Sequence, residues 1–258
     1  MHLNIVPASQ GLTWLRQGFN TFMKRPFAML GIFMMFMLLF NLLGLIPFLG
    51  VVLGLVLLPS ATLGLMQAAR SVYKGEYPFP TILFSAFHKD SATSRNMLVL
   101  GALYGVVLML GMSLTQLIDG GQFVKIYLMG EGVEQAQLVE LMSTTSFQIS
   151  VFTAGVISVL VGMLFWHAPA LVYWHSVPPV KSMFFSVVAC LRNFKAFFVY
   201  LMAFVGIMLA IGAVGSMALI AIAGAKLGTT LLFMVMMLLS TVFFTSQYFS
   251  FVGCFGEP

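Results

Sequence analysis

Trp166-His167-Ala168-Pro169-Ala170-Leu171-Val172-Tyr173-Trp174-His175 ends a long apolar run and opens onto a basic segment. A shorter match, Leu58-Pro59-Ser60-Ala61, ends an earlier apolar run. Both read as the inner-leaflet ends of membrane helices. Aromatic rings and histidines suit the headgroup level, and a proline there bends or ends the helix.

The rest of the chain agrees. Of its 258 residues, 60% are hydrophobic and 7% charged, against about 25% charged in soluble domains. Twelve Lys and Arg with seven Asp and Glu could not cover the surface of a water-soluble domain this size. The class expected is an all-α polytopic membrane bundle. About 20 apolar residues are needed per crossing, and that length divides the chain into six spans: 26–46, 49–69, 97–118, 147–173, 196–222 and 228–252. Ile46-Pro47-Phe48-Leu49-Gly50 and Ala223-Gly224-Ala225-Lys226-Leu227 are tight turns, so the first two and last two spans form hairpins. No cleavable signal peptide is read at the start, because the first apolar run begins only after Pro26.

Ten of the twelve Lys and Arg lie in the N-terminal arm (1–25), in 70–96 and in 174–195. Only Lys125 and Lys226 fall on the other side. That asymmetry puts both termini in the cytosol of a bacterial inner membrane. Cys190 and Cys254 then lie on the reducing side, where they read as small packing residues.

Each basic segment carries helical periodicity of its own. Leu12, Leu15, Phe19, Phe22 and Met23 predict a short helix lying in the interface ahead of Lys24-Arg25. The segments 79–88 and 180–191 repeat the pattern after Pro78 and Pro80 and after Pro178-Pro179. Residues 131–141 predict a short water-facing helix with Glu131, Glu134 and Glu140. The chain therefore reads as a weak threefold repeat, in which an amphipathic cytosolic helix precedes each helical hairpin.

Chemistry-bearing groups are sparse. The spans contain no Asp, Glu, Lys or Arg at depth, which argues against ion-coupled transport. The polar candidates for a cavity or lipid contact are Asn41, Gln116, Thr153 and Ser158 in the spans. His167, His175, Arg192 and Lys195 are the candidates near the inner face. His167 and His175 are eight residues apart, about 12 Å of rise and about 80° of turn on a helix. They cannot share a metal unless the helix breaks, and they read as polar anchors in an aromatic belt. No catalytic motif or paired carboxylates are present, so no catalytic, metal or cofactor site is assigned. The basic cluster suits anionic lipid headgroups. The expected partners are the bilayer and a protein in the membrane, with no role for nucleic acid.

At Gly11-x-x-Trp14-x-x-x-Gly18, Pro26, Ile46-Pro47-x-x-Gly50, Leu58-Pro59-x-x-x-x-Gly64 and Ala168-Pro169-Ala170 the chain resembles a family of uncharacterised inner-membrane proteins of Gram-negative bacteria. Its layout is also similar to the membrane domain fused to some glycerophosphodiester phosphodiesterases. The first resemblance implies a six-helix inner-membrane protein. The catalytic domain of the second has no counterpart here.

Three functions remain in view. The foremost is a non-enzymatic scaffold or partner subunit in an envelope or lipid-related assembly. The second is a carrier or flippase-like protein for a lipid or small amphiphile, and the third is an enzyme acting on lipid headgroups. Any pocket is expected between Pro59 and Pro169.

Overall fold

The structure is a computed structural model, and it describes residues 2–127 and 132–258. Its elements are helical, with no strand among the described residues. Helix α1 (Gln10–Lys24) leads into a first hairpin, α2 (Pro26–Gly44) and α3 (Leu49–Tyr73). A 3-10 turn at Pro80–Phe84 and the single turn α4 (Ser85–His88) precede α5 (Ser91–Asp119). The short helices α6 (Gln122–Tyr127) and α7 (Gln135–Ser143) follow on the outer side. The second hairpin returns through α8 (Thr145–Phe165) and α9 (Ala168–His175). Helix α10 (Pro179–Arg192) introduces the third hairpin, α11 (Phe194–Leu219) and α12 (Lys226–Phe255). Gly224, at φ 77° and ψ 166°, breaks the helical path between those two.

Among the described residues, six helices or helix pairs are long and apolar enough to cross a membrane. The expected all-α polytopic bundle and its span count hold, and the boundaries move for local reasons. Helix α5 starts six residues before the expected 97, because Ser91–Asn96 is polar and falls below a hydropathy threshold. Asp90 starts it by accepting the Thr93 backbone N–H at 2.6 Å and the Thr93 hydroxyl at 2.8 Å. Those bonds hold the Asp90 carboxyl below its ordinary value of 3.8. On the other side Asp119 accepts the N–H groups of Gly121 and Phe123 and so starts α6, which the sequence reading did not foresee. The expected helix over 131–141 is α7, shifted to 135–143. Glu131 lies outside the described residues.

The fourth span, expected over 147–173, runs from Thr145 to His175 and is interrupted near its inner end. Helix α8 stops at Phe165 and α9 begins at Ala168, with Pro169 in its first turn. Proline is at home there, since its missing N–H would have no partner anyway. The break lies just before Pro169, at Trp166-His167. Ser186 on α10 produces it: its hydroxyl accepts the His167 N–H at 3.0 Å and donates to the Met163 carbonyl at 2.7 Å. In an unbroken helix those two groups would bond each other, and a side chain inserted into that ladder is a recognised cause of a kink. Pro59, by contrast, sits inside an unbroken α3. The two prolines therefore sit in different backbone contexts.

The amphipathic arm does not simply float in the interface. Trp14 is fully buried, and its ring meets Phe197 and Tyr200 of α11 at centroid distances of 5.1 and 5.9 Å. Added Cβ atoms at Gly11 and Gly18 would strike the Ala196 carbonyl and Ser246 respectively, so α1 wedges between the inner ends of α11 and α12. Leu12, Phe19 and Met23, on the opposite face, stay exposed and are free to meet lipid. Segment 4–6 is also tied down. Asn193 accepts from Val6 N–H at 2.8 Å and donates to the Asn4 carbonyl at 3.0 Å. Helix α10 likewise buries its small face, with Ser182, Ser186, Ala189 and Cys190, and exposes Val180, Phe184 and Leu191.

The main core gathers at the basic face. It joins Trp14, Phe22, Met29, Phe33, Met66, Leu171, Tyr248 and Phe251 from five helices. Toward the other face the third hairpin has few neighbours, and Val214, Met217 and Ile222 are strongly exposed. The bundle is thus tight at the inner side and open between hairpins farther out.

A candidate amphiphile site between the hairpins

The break at Trp166-His167 turns two neighbouring side chains in opposite senses. Trp166 faces the gap between hairpins. Its indole N–H donates to the Ser250 hydroxyl of α12 at 3.0 Å, and its ring meets Phe197, Tyr200 and Phe243 edge-on near 6 Å. His167 faces the core. It is fully buried, ringed by Phe197, Phe251 and Phe255 at 5.5 to 5.8 Å, and neither ring nitrogen has a partner.

A cavity of about 320 Å³ opens on the Trp166 side, among α2, α3, α5, α8 and α12. Most of its wall is apolar: Phe36, Leu58, Met66, Leu108, Val161 and Phe244. Pro59 and Trp166 are also in the wall, whereas Pro169, the other end expected for a pocket, is not part of it. Four polar side chains line it, Thr62, Tyr104, Ser158 and Gln247. Small-molecule sites have this make-up, an apolar wall with a few placed polar groups. The Thr62 and Ser158 hydroxyls are already bonded to their own helix, to the Pro59 and Ala154 carbonyls. The Gln247 amide is the side chain of greatest hydrogen-bonding capacity in the lining.

A second space shares part of this wall. It is a groove of about 440 Å³ facing outward between α8, α10 and α11, lined by Val159, Met163, Cys190, Phe194, Phe198 and Met202 among others. Ser158, Gly162 and Trp166 border both the groove and the cavity. Helices α8 and α11 do not pack together along their length. The groove is the seam between the second and third hairpins, and one face of α8 separates it from the interior. In its wall, burial and the neighbouring Cys254 push the Cys190 thiol up to about 12. It stays protonated and serves as a small packing group, and both cysteines are free.

The sequence candidates fall in several places. Ser158 is in the cavity wall. Asn41 is exposed and donates to the Met37 carbonyl of its own helix at 2.7 Å, so it is not a cavity group. Gln116 lines a different, outer-side pocket with Ser113 and Lys125. Thr153 is half-buried on α8, outside these spaces. His167 belongs to the core and is not an anchor at the headgroup level. His175 lines a cytosolic-side pocket with Leu3, Phe184 and Phe255. Arg192 and Lys195 are exposed on either side of Phe194. Among the described residues, no three His, Cys, Asp or Glu side chains come together.

Sequence reading missed Gln247, Tyr104 and Thr62. The signal was present for Gln247, the one Gln or Asn in the last span.

Fold, composition and basic asymmetry define the class as a polytopic α-helical protein of the bacterial inner membrane. No family model matches the chain, and no solved structure matches it. A probable inner membrane protein of Burkholderia thailandensis is 35% identical over 265 residues, covering 100% of this chain and 96% of that protein. The chain belongs to the same family of inner-membrane proteins.

Proposed function

We propose that this protein is a non-enzymatic binder and carrier of a lipid-like amphiphile, which it receives between its hairpins at inner-leaflet depth. The observation that supports the reading is the apolar cavity with Gln247 and Tyr104 in its wall, separated from a lipid-facing groove only by the Ser158–Gly162–Trp166 face of α8. An amphiphile has an apolar body for such a wall and a polar end for an unpaired amide. No proton-coupling charge sits at depth, so the expected movement is downhill or coupled to a partner.

The test is photo-crosslinking in native-like vesicles with a phospholipid carrying a diazirine in its acyl chain. Adducts on α3, α8 and α12 residues of the cavity wall are expected, and Leu108→Trp should remove them. Adducts confined to outward faces in both proteins would defeat the reading.

A scaffold or partner-subunit role is the second reading. It is favoured by Gly155 and Gly206, where nothing lies within 4 Å of an added Cβ, leaving small-residue surfaces uncovered. Crosslinking in native membranes that yields one stable protein partner would favour it over the carrier.

A further inference from the structure

The cations of the basic face are unevenly engaged. Several cations of the basic face are already engaged. Lys24 lies over the Tyr73 ring at 5.3 Å, Arg25 over Tyr77 at 5.7 Å and Lys89 over Tyr173 at 4.9 Å. Arg70 donates to the Pro258 oxygen at 2.9 Å. Arg192 and Lys195 have no hydrogen bond, ion pair or ring partner among the described residues, and both are exposed. They flank Phe194, which is a wall residue of the groove. The connecting segment 174–195 contains no acid.

The groove has the dimensions of one lipid chain. Its walls run from Phe194 to Met202 on α11 and from Trp166 back to Ser158 on α8. Eight residues of helix rise about 12 Å, close to the depth of one leaflet's hydrocarbon, about 15 Å. The lining is almost wholly apolar below the rim. A soluble peptide would find few hydrogen-bonding groups there, the Ser158 hydroxyl being already bonded within its own helix, whereas an acyl chain needs none.

Resting on the amphiphile reading above, we propose that this seam is a specific site for an anionic phospholipid of the inner leaflet. One acyl chain lies between Gly162–Trp166 and Phe198–Met202. The phosphate and its anionic headgroup meet Arg192 and Lys195. Such a lipid touches Trp166 from outside while the cavity touches it from inside, so the site stands at the lateral entrance to the cavity. Headgroup charge is then what selects the molecule that enters.

The test uses the full chain in proteoliposomes and the fluorescence of Trp166, quenched by phospholipids with brominated chains. Brominated phosphatidylglycerol is compared with brominated phosphatidylcholine, and the Trp166→Phe protein supplies the background from Trp14 and Trp174. A basic residue near the surface contributes about 1 kcal/mol toward an anionic lipid, so Arg192 and Lys195 together should make the relative binding constant favour phosphatidylglycerol by about thirtyfold. Arg192→Gln with Lys195→Gln should bring the ratio to about one. Val159→Phe, which narrows the groove, should weaken quenching by both lipids. If Trp166→Phe fails to fold, the comparison of wild type with the exposed double charge variant still decides. Equal quenching by the two lipids, or a preference that survives the double variant, overturns the site. Absence of Trp166-dependent quenching also overturns it, since something other than lipid then covers the seam. Cavity photoadducts without a charge preference would sink this site and leave the carrier reading standing. A charge preference without cavity adducts would do the reverse.

Discussion

Ser186 stands in for a helical hydrogen bond of His167. Its hydroxyl accepts the His167 N–H and donates to the Met163 carbonyl, so a side chain from α10 divides α8 from α9. Ser186→Ala leaves the buried His167 N–H without a partner and the Met163 carbonyl with only a long, weak bond from the Cys190 thiol. Each buried unsatisfied group costs about 1–3 kcal/mol, so the variant should unfold well below wild type in a thermal melt in mild detergent. Ser113→Ala is the control. Ser113 is exposed and bonds only the Met109 carbonyl of its own helix, and its loss should leave Tm unchanged.

His167 itself is predicted to be dispensable. Both ring nitrogens lie unpaired among three phenylalanines. Replacing an unpaired buried polar group by an apolar one of similar size is neutral or stabilising. His167→Leu should hold or raise Tm and keep lipid binding. Loss of binding with the fold intact would revive a role for His167 in headgroup chemistry.

The wedge of α1 makes a third prediction. A Cβ at Gly11 meets the backbone of Ala196 and Tyr200, and backbone cannot swing aside. Gly11→Val should cost about 1–3 kcal/mol by overpacking. It should also speed trypsin cleavage after Arg16 and Lys24, whose side chains are exposed but whose backbone is held in α1. Gly31, inside α2 with nothing within 4 Å, behaves oppositely. Gly31→Ala should stabilise by about 0.5–1 kcal/mol, because the unfolded chain loses freedom and nothing collides.

Asp90 gives a pH prediction. Its folded pKa lies below the ordinary 3.8, so its contribution is fully present above that value. It is lost as pH falls through the folded pKa. Amide exchange over residues 91–95 should therefore accelerate below about pH 3.8. Asp90→Asn should flatten that dependence, because an amide keeps an acceptor for the Thr93 N–H without titrating.

Much of the architecture was legible because bilayer thickness forces long apolar runs. The spans, both tight turns and the amphipathic helix at 180–191 follow from periodicity and hydropathy. What escaped was set by distant partners. Nothing near Trp166 announces that Ser186, on another helix, will interrupt the ladder. Trp14 looks like an interfacial residue until Gly11, Gly18 and Gly253 are seen to clear a berth for α1 against α11 and α12. The same holds for the cavity. Asn41 is the most polar group near the middle of a span, yet it satisfies itself on the Met37 carbonyl. Gln247 draws less notice and lines the pocket, because helix rotation relative to neighbours is a packing outcome that hydropathy does not encode.

The central claim is that the cavity beside Pro59 and Trp166 holds an amphiphile. Native mass spectrometry of the protein released directly from bacterial membranes tests it most directly, comparing wild type with Leu108→Trp at matched thermal stability. The account predicts one bound lipid-sized mass on wild type that the filled-cavity variant lacks. Identical adduct patterns on both proteins would contradict it.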